Sequence, residues 1–412
     1  MAIAQPTVAY VWVWLPGATE PVPAGRLDAT GPVITFTYGR SYLERDERIP
    51  IYEPELPLQS GTQQPEFGPV AGCIEDAGPD SWGMRVIEHR RGTDATDDVG
   101  LLTYLLESSS DRTGGLDFQT SPNEYRPREL TGATLDELVD AARRLDEGLP
   151  LSPDLDAALL HGTSVGGARP KVLLDTDHGP AIAKLSSAAD VLPLVKVECL
   201  TMTLAARVGL DVASVELVTA LGKDVLLVRR FDRPAPGQRR IMVSARTMLR
   251  LGQLGVGGSY ADLADLVRAR FTEPDRTLGE LFGRITFNVL VSNTDDHAKN
   301  HAAFWDGSAL TLTPAYDVCA QTRTGGEVTQ AMAVSHDGFR LSQLAGCIRH
   351  AATYQLSEPE ARTIIDEQIV VIHRSWDDAC DIASLTDQER GALWGRQILN
   401  PFALEGYQAA RG

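Results

Sequence analysis

A chain of 412 residues with 43% hydrophobic residues has the length and apolar content for a substantial core and two or three structural units. Its formal charge of −18 and pI near 4.9 oppose a phosphate backbone, and no run of lysine and arginine with interleaved aromatics offsets this, which argues against direct, unaided nucleic-acid binding. The same charge would steer a basic protein partner toward the surface. Five cysteines, Cys73, Cys199, Cys319, Cys347 and Cys380, form no Cys-x-x-Cys pair, so neither a disulfide framework nor a zinc ribbon is expected. No apolar run approaches the roughly 20 residues needed to cross a bilayer, and no basic region precedes an apolar block at the N-terminus. A cytoplasmic location without membrane association is the expectation.

In chain order, the first third is short-patterned and β-rich. Val8 to Leu15 alternates as a strand, Pro16 and Gly17 turn it, and Val33 to Tyr38 forms another. A helix is expected around Asp80 to His89, opened by Ser81, Trp82 and Gly83. Thr134 begins a firmer one, with Glu137 completing a capping box and Leu135, Leu138, Val139 and Ala142 sharing a face. A boundary is placed near residue 130.

A glycine-containing loop follows, then strands at Val172 to Leu174 and Ala181 to Leu185, and a helix from about Val195 to Val208 stopped by Gly209. Strands at Ser214 to Thr219 and Asp224 to Arg229 complete the alternation. After Pro236 the pattern turns helical. A capping box at Thr277 and Glu280 is expected to start a helix ending at Asn293, and Ser357 with Glu360 and Thr386 with Glu389 open two more. The spans expected are 1–130, 131–235 and 236–412, in an α+β fold.

The chemistry is concentrated in Asn293 to Asn300, reading Asn-Thr-Asp-Asp-His-Ala-Lys-Asn, followed by Pro314, Ala315, Tyr316 and Asp317. An aspartate, an asparagine five residues on and a second aspartate later is the spacing by which kinases hold a substrate hydroxyl and Mg²⁺ beside ATP. Asp295 fits that aspartate by its separation from Asn300. Asp296 stands beside it, and the two carboxylates cannot both be the base. The plainer reading is a helix end with solvated turn residues. His297 and His301 lie four apart as in helical zinc sites, but Ala298 stands where a zinc hydrolase would carry its glutamate.

Ser164, Val165, Gly166, Gly167, Ala168, Arg169, Pro170 and Lys171 make a loop whose glycines let backbone amides approach phosphate, though a strand-joining turn would read the same way. Lys184, between Ala183 and Leu185, wants an anionic partner. ATP phosphates and Glu198 would supply one, unless it lies on an edge facing water. Arg230, Phe231, Asp232 and Arg233 end a strand before Pro234, as a hinge between lobes or a solvated exit.

Together these pieces resemble the HipA family of bacterial toxin kinases over nearly the whole chain. The resemblance implies a bilobal protein-kinase-like fold with a β-rich N-terminal subdomain, to which Gly78 to Gly83 and Gly115 to Phe118 are similar, and an all-helical C-terminal lobe. It implies a protein serine/threonine kinase using ATP and Mg²⁺. Asp295 would be catalytic, and Asn300 and Asp317 the metal ligands. Ser164, Val165, Gly166, Gly167, Lys171, Lys184, Glu198, Arg230, Phe231, Asp232, His297 and Lys299 would line the nucleotide. Ser164 matches the family's autophosphorylated serine, and Arg169 departs from the glutamine many relatives carry. The partners implied are a HipB-like helix-turn-helix antitoxin, operator DNA reached mainly through it, and an aminoacyl-tRNA synthetase, notably the glutamyl enzyme, as substrate. The competing class is a pseudokinase acting only as a co-repressor.

Overall fold

A computed structural model of the chain describes residues 5–93, 99–128, 133–152, 155, 159, 163, 169–186, 192–252, 257–323 and 325–408. The chain divides into two compact units. The first comprises Met1–Ala188, Val218–Val243 and Phe304–Ser308; the second comprises Ala189–Leu217, Ser244–Ala303 and Ala309–Gly412.

The first unit begins with an antiparallel sheet of strands β1 (Val8–Val13), β2 (Val22–Thr30), β3 (Val33–Tyr38), β4 (Thr62–Gln63) and β5 (Leu116–Gln119), in the order β4-β3-β2-β1-β5. Strand β2 has no counterpart among the sequence expectations because Pro23 and Gly25 read as breakers. Both have a place there. The register shifts where Val11 faces Gly25 and Trp12 faces Pro23, a bulge that tolerates a proline. A Cβ on Gly25 would lie 2.4 Å from the Thr37 carbonyl oxygen, so only glycine lets β3 approach so closely.

A second sheet is formed by β6 (Lys171–Thr176), β7 (Gly179–Leu185), β8 (Val215–Ala220) and β9 (Lys223–Arg229), in the order β6-β7-β9-β8. Val172, Ala181, Ala183, Leu185, Val225 and Leu227 bury one face of it against Leu138 and Val139, which belong to the helix Leu135–Asp146. The expected capping box of Thr134 and Glu137 starts that helix. Trp82 and Val86, from the helix Ser81–Arg91, enter the same core. The N-terminal segment and the second sheet therefore share one apolar interior, which makes them one unit.

Arg230 and Asp232 are buried, at 5% and 4% exposure, so this segment is not a solvated exit. Arg230 pairs with Asp232 at 2.8 Å and Asp111 at 2.9 Å, Arg233 reaches the same two carboxylates, and the backbone N–H of Gly114 donates to Asp232 at 2.8 Å. Nearby, fully buried Arg112 pairs with Asp117 at 2.7 Å. Charges so far from water persist only when paired and hydrogen-bonded, and here they are both.

The second unit is mainly helical. The helix Leu194–Arg207 packs against the long helix Glu358–Ile382, and Pro274–Leu290 packs against Tyr260–Arg270. The capping boxes of Ser357 with Glu360 and Thr386 with Glu389 form as expected. Thr277 and Glu280 do not start a helix. Pro274, pre-set for the first helical position, begins it earlier; Thr277 donates to the Glu273 carbonyl at 2.7 Å, and Glu280 pairs with Arg284. This unit also carries a short strand, Leu310–Leu312, and the N–H of Thr313 donates to the Ala302 carbonyl at 3.0 Å. Among the described residues no helix is long and apolar enough to cross a membrane.

Candidate active site

The helix Pro274–Leu290 delivers the site. Ser292, just past its end, takes a left-handed φ of 55°, and the N–H of Asn293 returns to the Asn288 carbonyl at 2.9 Å, closing the helix where the sequence places its end. The chain then turns through Asp295 and a 3₁₀ turn, Ala298–Asn300.

The adjacent aspartates have opposite environments. Asp296 is 3% exposed, and one of its oxygens accepts hydrogen bonds from Tyr260 Oη at 2.5 Å, Asn288 Nδ2 at 2.8 Å and His301 Nε2 at 2.8 Å. Burial alone would raise its pKa; His301 and these donors outweigh it and hold the carboxyl below the usual range. Asp295 is exposed. Its carboxyl is raised, first by partial desolvation, then opposed by nearby His297, with the charges of Asp317 and Asp296 pushing further upward. A carboxylate open to solvent with a raised pKa suits proton acceptance, whereas one saturated with donors in the interior does not. The geometry therefore separates two residues that spacing left ambiguous.

Asn300 and Asp317 join Asp295. The Asn300 amide nitrogen donates to the Asp295 carbonyl at 3.4 Å, leaving its side-chain oxygen as the atom for a cation. The hydroxyl of Tyr316 donates to the Lys299 carbonyl at 2.8 Å, tying the turn before Asp317 to the 3₁₀ turn. Asp317 itself is exposed with φ of 60°, a left-handed conformation that aspartate adopts more readily than most residues other than glycine. An amide oxygen and a carboxylate beside a second carboxylate form an oxygen-donor set suited to a hard divalent cation.

The zinc alternative has no support in this geometry. His301 Nε2 is bonded to Asp296, and among the described residues the one group of three His, Cys, Asp or Glu side chains converging within 4.8 Å is Asp262, Asp265 and His336, all exposed. There the His336 ring lies between the carboxylates, with Nδ1 3.6 Å from Asp262 and Nε2 3.4 Å from Asp265, an arrangement of ion pairing rather than of one metal ion.

In the first unit, Lys171 and Lys184 are direct cross-strand partners on β6 and β7, so both side chains leave the sheet on one face. Lys171 is 6% exposed and Lys184 half-buried. Two lysines on one face of a sheet give that face a positive character. Phe231, half-buried, meets Phe304 edge to face, at 5.9 Å between ring centroids. Arg230 and Asp232 are committed to the ion network described above, which does not suit nucleotide contact. Glu198, on the helix Leu194–Arg207 of the second unit, is 6% exposed. Ser164, Val165, Gly166 and Gly167 lie outside the described residues. Tyr260, Asn288 and the inward role of Asp296 escaped the sequence reading, since no local spacing marks a residue whose partners come from distant helices.

A family model of the HipA-like C-terminal domain matches residues 163–376, and one of the HipA N-terminal domain matches residues 13–119. The chain belongs to the HipA family. It is 27% identical to the putative kinase Y4mE of Sinorhizobium fredii over 310 residues, 69% of this chain and 71% of that protein. It is also 30% identical over 145 residues to the serine/threonine-protein kinase toxin HipA of Shewanella oneidensis, 30% of this chain and 34% of that one. A solved complex of Shewanella oneidensis HipA with HipB and operator DNA matches in fold at a TM-score of 0.69 and 18% identity, covering 93% of this chain and 95% of that one. The α+β architecture of this HipA protein is thus that of its family, whose related members carry the names of kinases.

Proposed function

We propose that this HipA-family chain is an ATP-dependent protein serine/threonine kinase, the toxin of a type II toxin–antitoxin pair. The observation that carries the reading is the gathering of exposed Asp295, the free side-chain oxygen of Asn300 and the left-handed Asp317 in one turn cluster. Asp295 accepts the proton of a substrate serine or threonine hydroxyl as its oxygen bonds to the γ-phosphorus and the bond from that phosphorus to ADP breaks. Asn300 and Asp317 hold Mg²⁺, which when bound neutralises charge on the phosphates. Lys171 and Lys184 meet the phosphate oxygens, supported by their shared face. His297 favours the ionised form of Asp295, and Lys299 supplies the carbonyl that fixes Tyr316. Arg230 and Asp232 hold the fold rather than the nucleotide, with Phe231 packed beside them.

Family resemblance further assigns autophosphorylation at Ser164, where about two added negative charges would oppose ATP phosphates. It also assigns an aminoacyl-tRNA synthetase as substrate and a HipB-like antitoxin that contacts operator DNA. The related Shewanella protein was solved with HipB and operator DNA, and the −18 charge fits a basic protein doing the DNA binding. The test is incubation with γ-labelled ATP and Mg²⁺, alone and with glutamyl-tRNA synthetase. Label should appear on Ser164 or the synthetase and vanish in Asp295→Asn. A folded wild type that stays unlabelled while binding antitoxin and operator would establish the co-repressor instead.

A further inference from the structure

Asp295 and Asn300 each have a C-terminal neighbour pointing inward, and those neighbours are bonded to one another: Asp296 accepts from His301 Nε2 at 2.8 Å, both being 3% exposed. The five-residue interval from exposed Asp295 to Asn300, itself only 8% exposed, is therefore repeated one residue on by a pair that is more deeply buried. Asp296 fixes the start of the turn and His301 its end through one carboxylate oxygen. That oxygen is itself anchored by Tyr260, the first residue of the helix Tyr260–Arg270, and by Asn288, near the end of the helix Pro274–Leu290. Asn288 Oδ1 in turn accepts from Asn293 Nδ2 at 3.0 Å, and the Tyr260 and His301 rings meet edge to face at 5.6 Å between centroids. A buried carboxylate with three donors tolerates little displacement, because losing any donor leaves a charge under-satisfied in a low-dielectric interior.

We infer that Asp296 and His301 are positioning residues, a buried hydrogen-bonded pair that sets the separation and orientation of Asp295 and Asn300 in the turn. The inference rests on the kinase reading. Both side chains are 3% exposed and bonded within the network. Their effect passes through placement, and small misplacements of a reacting group lower rates about 10²-fold. His301→Ala and Asp296→Asn are expected to lower kcat 10- to 100-fold with the KM for protein substrate within twofold, and to weaken Mn²⁺ binding in the presence of a non-hydrolysable ATP analogue at least fivefold. His301→Gln, which keeps a side-chain N–H donor, should recover most of both.

The comparison is made by electron paramagnetic resonance of bound Mn²⁺ and by phosphate transfer, on variants whose far-ultraviolet circular dichroism matches wild type. If His301→Ala and Asp296→Asn fail to fold, Tyr260→Phe decides, since it deletes one donor and keeps the ring; a three- to tenfold weakening of Mn²⁺ binding is expected. Folded variants with wild-type kcat and wild-type Mn²⁺ affinity overturn the inference and leave the kinase reading standing. A wild-type chain that neither transfers phosphate nor binds Mn²⁺ with nucleotide overturns both.

Discussion

The indole Nε1 of Trp82 donates to the carbonyl of Lys171 at 3.0 Å, joining the helix Ser81–Arg91 to the first residue of β6. Trp82 is fully buried in the core that backs β6 and β7. A residue of the N-terminal segment thus holds the strand from which Lys171 projects. Trp82→Phe should destabilise the chain by about 2 to 4 kcal/mol, from lost volume and a lost donor to a buried carbonyl. Urea unfolding measures it, and a change under 0.5 kcal/mol would show the bond to be incidental.

Gly83 follows in the same helix, where a Cβ would lie 2.1 Å from the Thr163 carbonyl oxygen. Backbone cannot retreat as a flexible side-chain end can. Gly83→Ala should therefore cost about 1 to 3 kcal/mol. Gly391 lies inside the exposed helix Asp387–Leu393 with nothing within 4 Å of its virtual Cβ, and Gly391→Ala should stabilise by about 0.5 to 1 kcal/mol. Opposite signs in thermal melts of the two variants check the pair; a Gly83→Ala variant as stable as wild type or more so refutes the steric reading of Gly83.

Local signals were readable here and distant ones were not. Thr134 with Glu137, Ser357 with Glu360 and Thr386 with Glu389 announce helix starts within four residues, and all three boxes form. The same pattern at Thr277 and Glu280 misleads because Pro274 competes three residues earlier. The separation of Asp295 and Asn300 belongs to one turn, so spacing alone suggests their association. Asp296 is understood only through Tyr260 and Asn288, and Arg230 only through Asp111 and the Arg112 carbonyl, contacts that adjacent residues do not encode.

Acid should unfold the first unit through the carboxylates that face its buried arginines. Burial alone would raise Asp111, Asp117 and Asp232, but the arginines facing them overcome it and hold all three below the ordinary value of 3.8. Carboxyls depressed in the folded state contribute stability that is fully present above that value and is lost as pH falls through the lower folded values. Unfolding free energy should hold nearly level down to about pH 5 and fall below pH 4. Asp232→Asn should flatten that fall while costing about 3 to 5 kcal/mol at pH 7, because Arg230 and Arg233 keep their charge. Denaturant titrations from pH 7 to 3 decide it, and an unchanged slope in the variant would remove Asp232 as a source.

On the proposed kinase reading, the cross-strand pair of β6 and β7 supplies two basic residues to nucleotide recognition. Lys171 and Lys184 face one another, so a triphosphate lying over the sheet would be met by both, and removing either leaves one ammonium still in place. Lys184 sits between buried Ala183 and Leu185 and is fixed by its strand, which favours a contact that strengthens as charge develops on the transferring group. On the proposed kinase reading, Lys171, at the first residue of β6, binds the nucleotide in ground and transition states alike. Lys184→Met is therefore expected to lower kcat about 10²-fold or more, and Lys171→Met mainly to raise the KM for ATP with kcat within about threefold. Steady-state kinetics at varied ATP distinguish the two. Equal effects on kcat would mean that both lysines act on the transition state, and the strand register would then have no bearing on their division of labour.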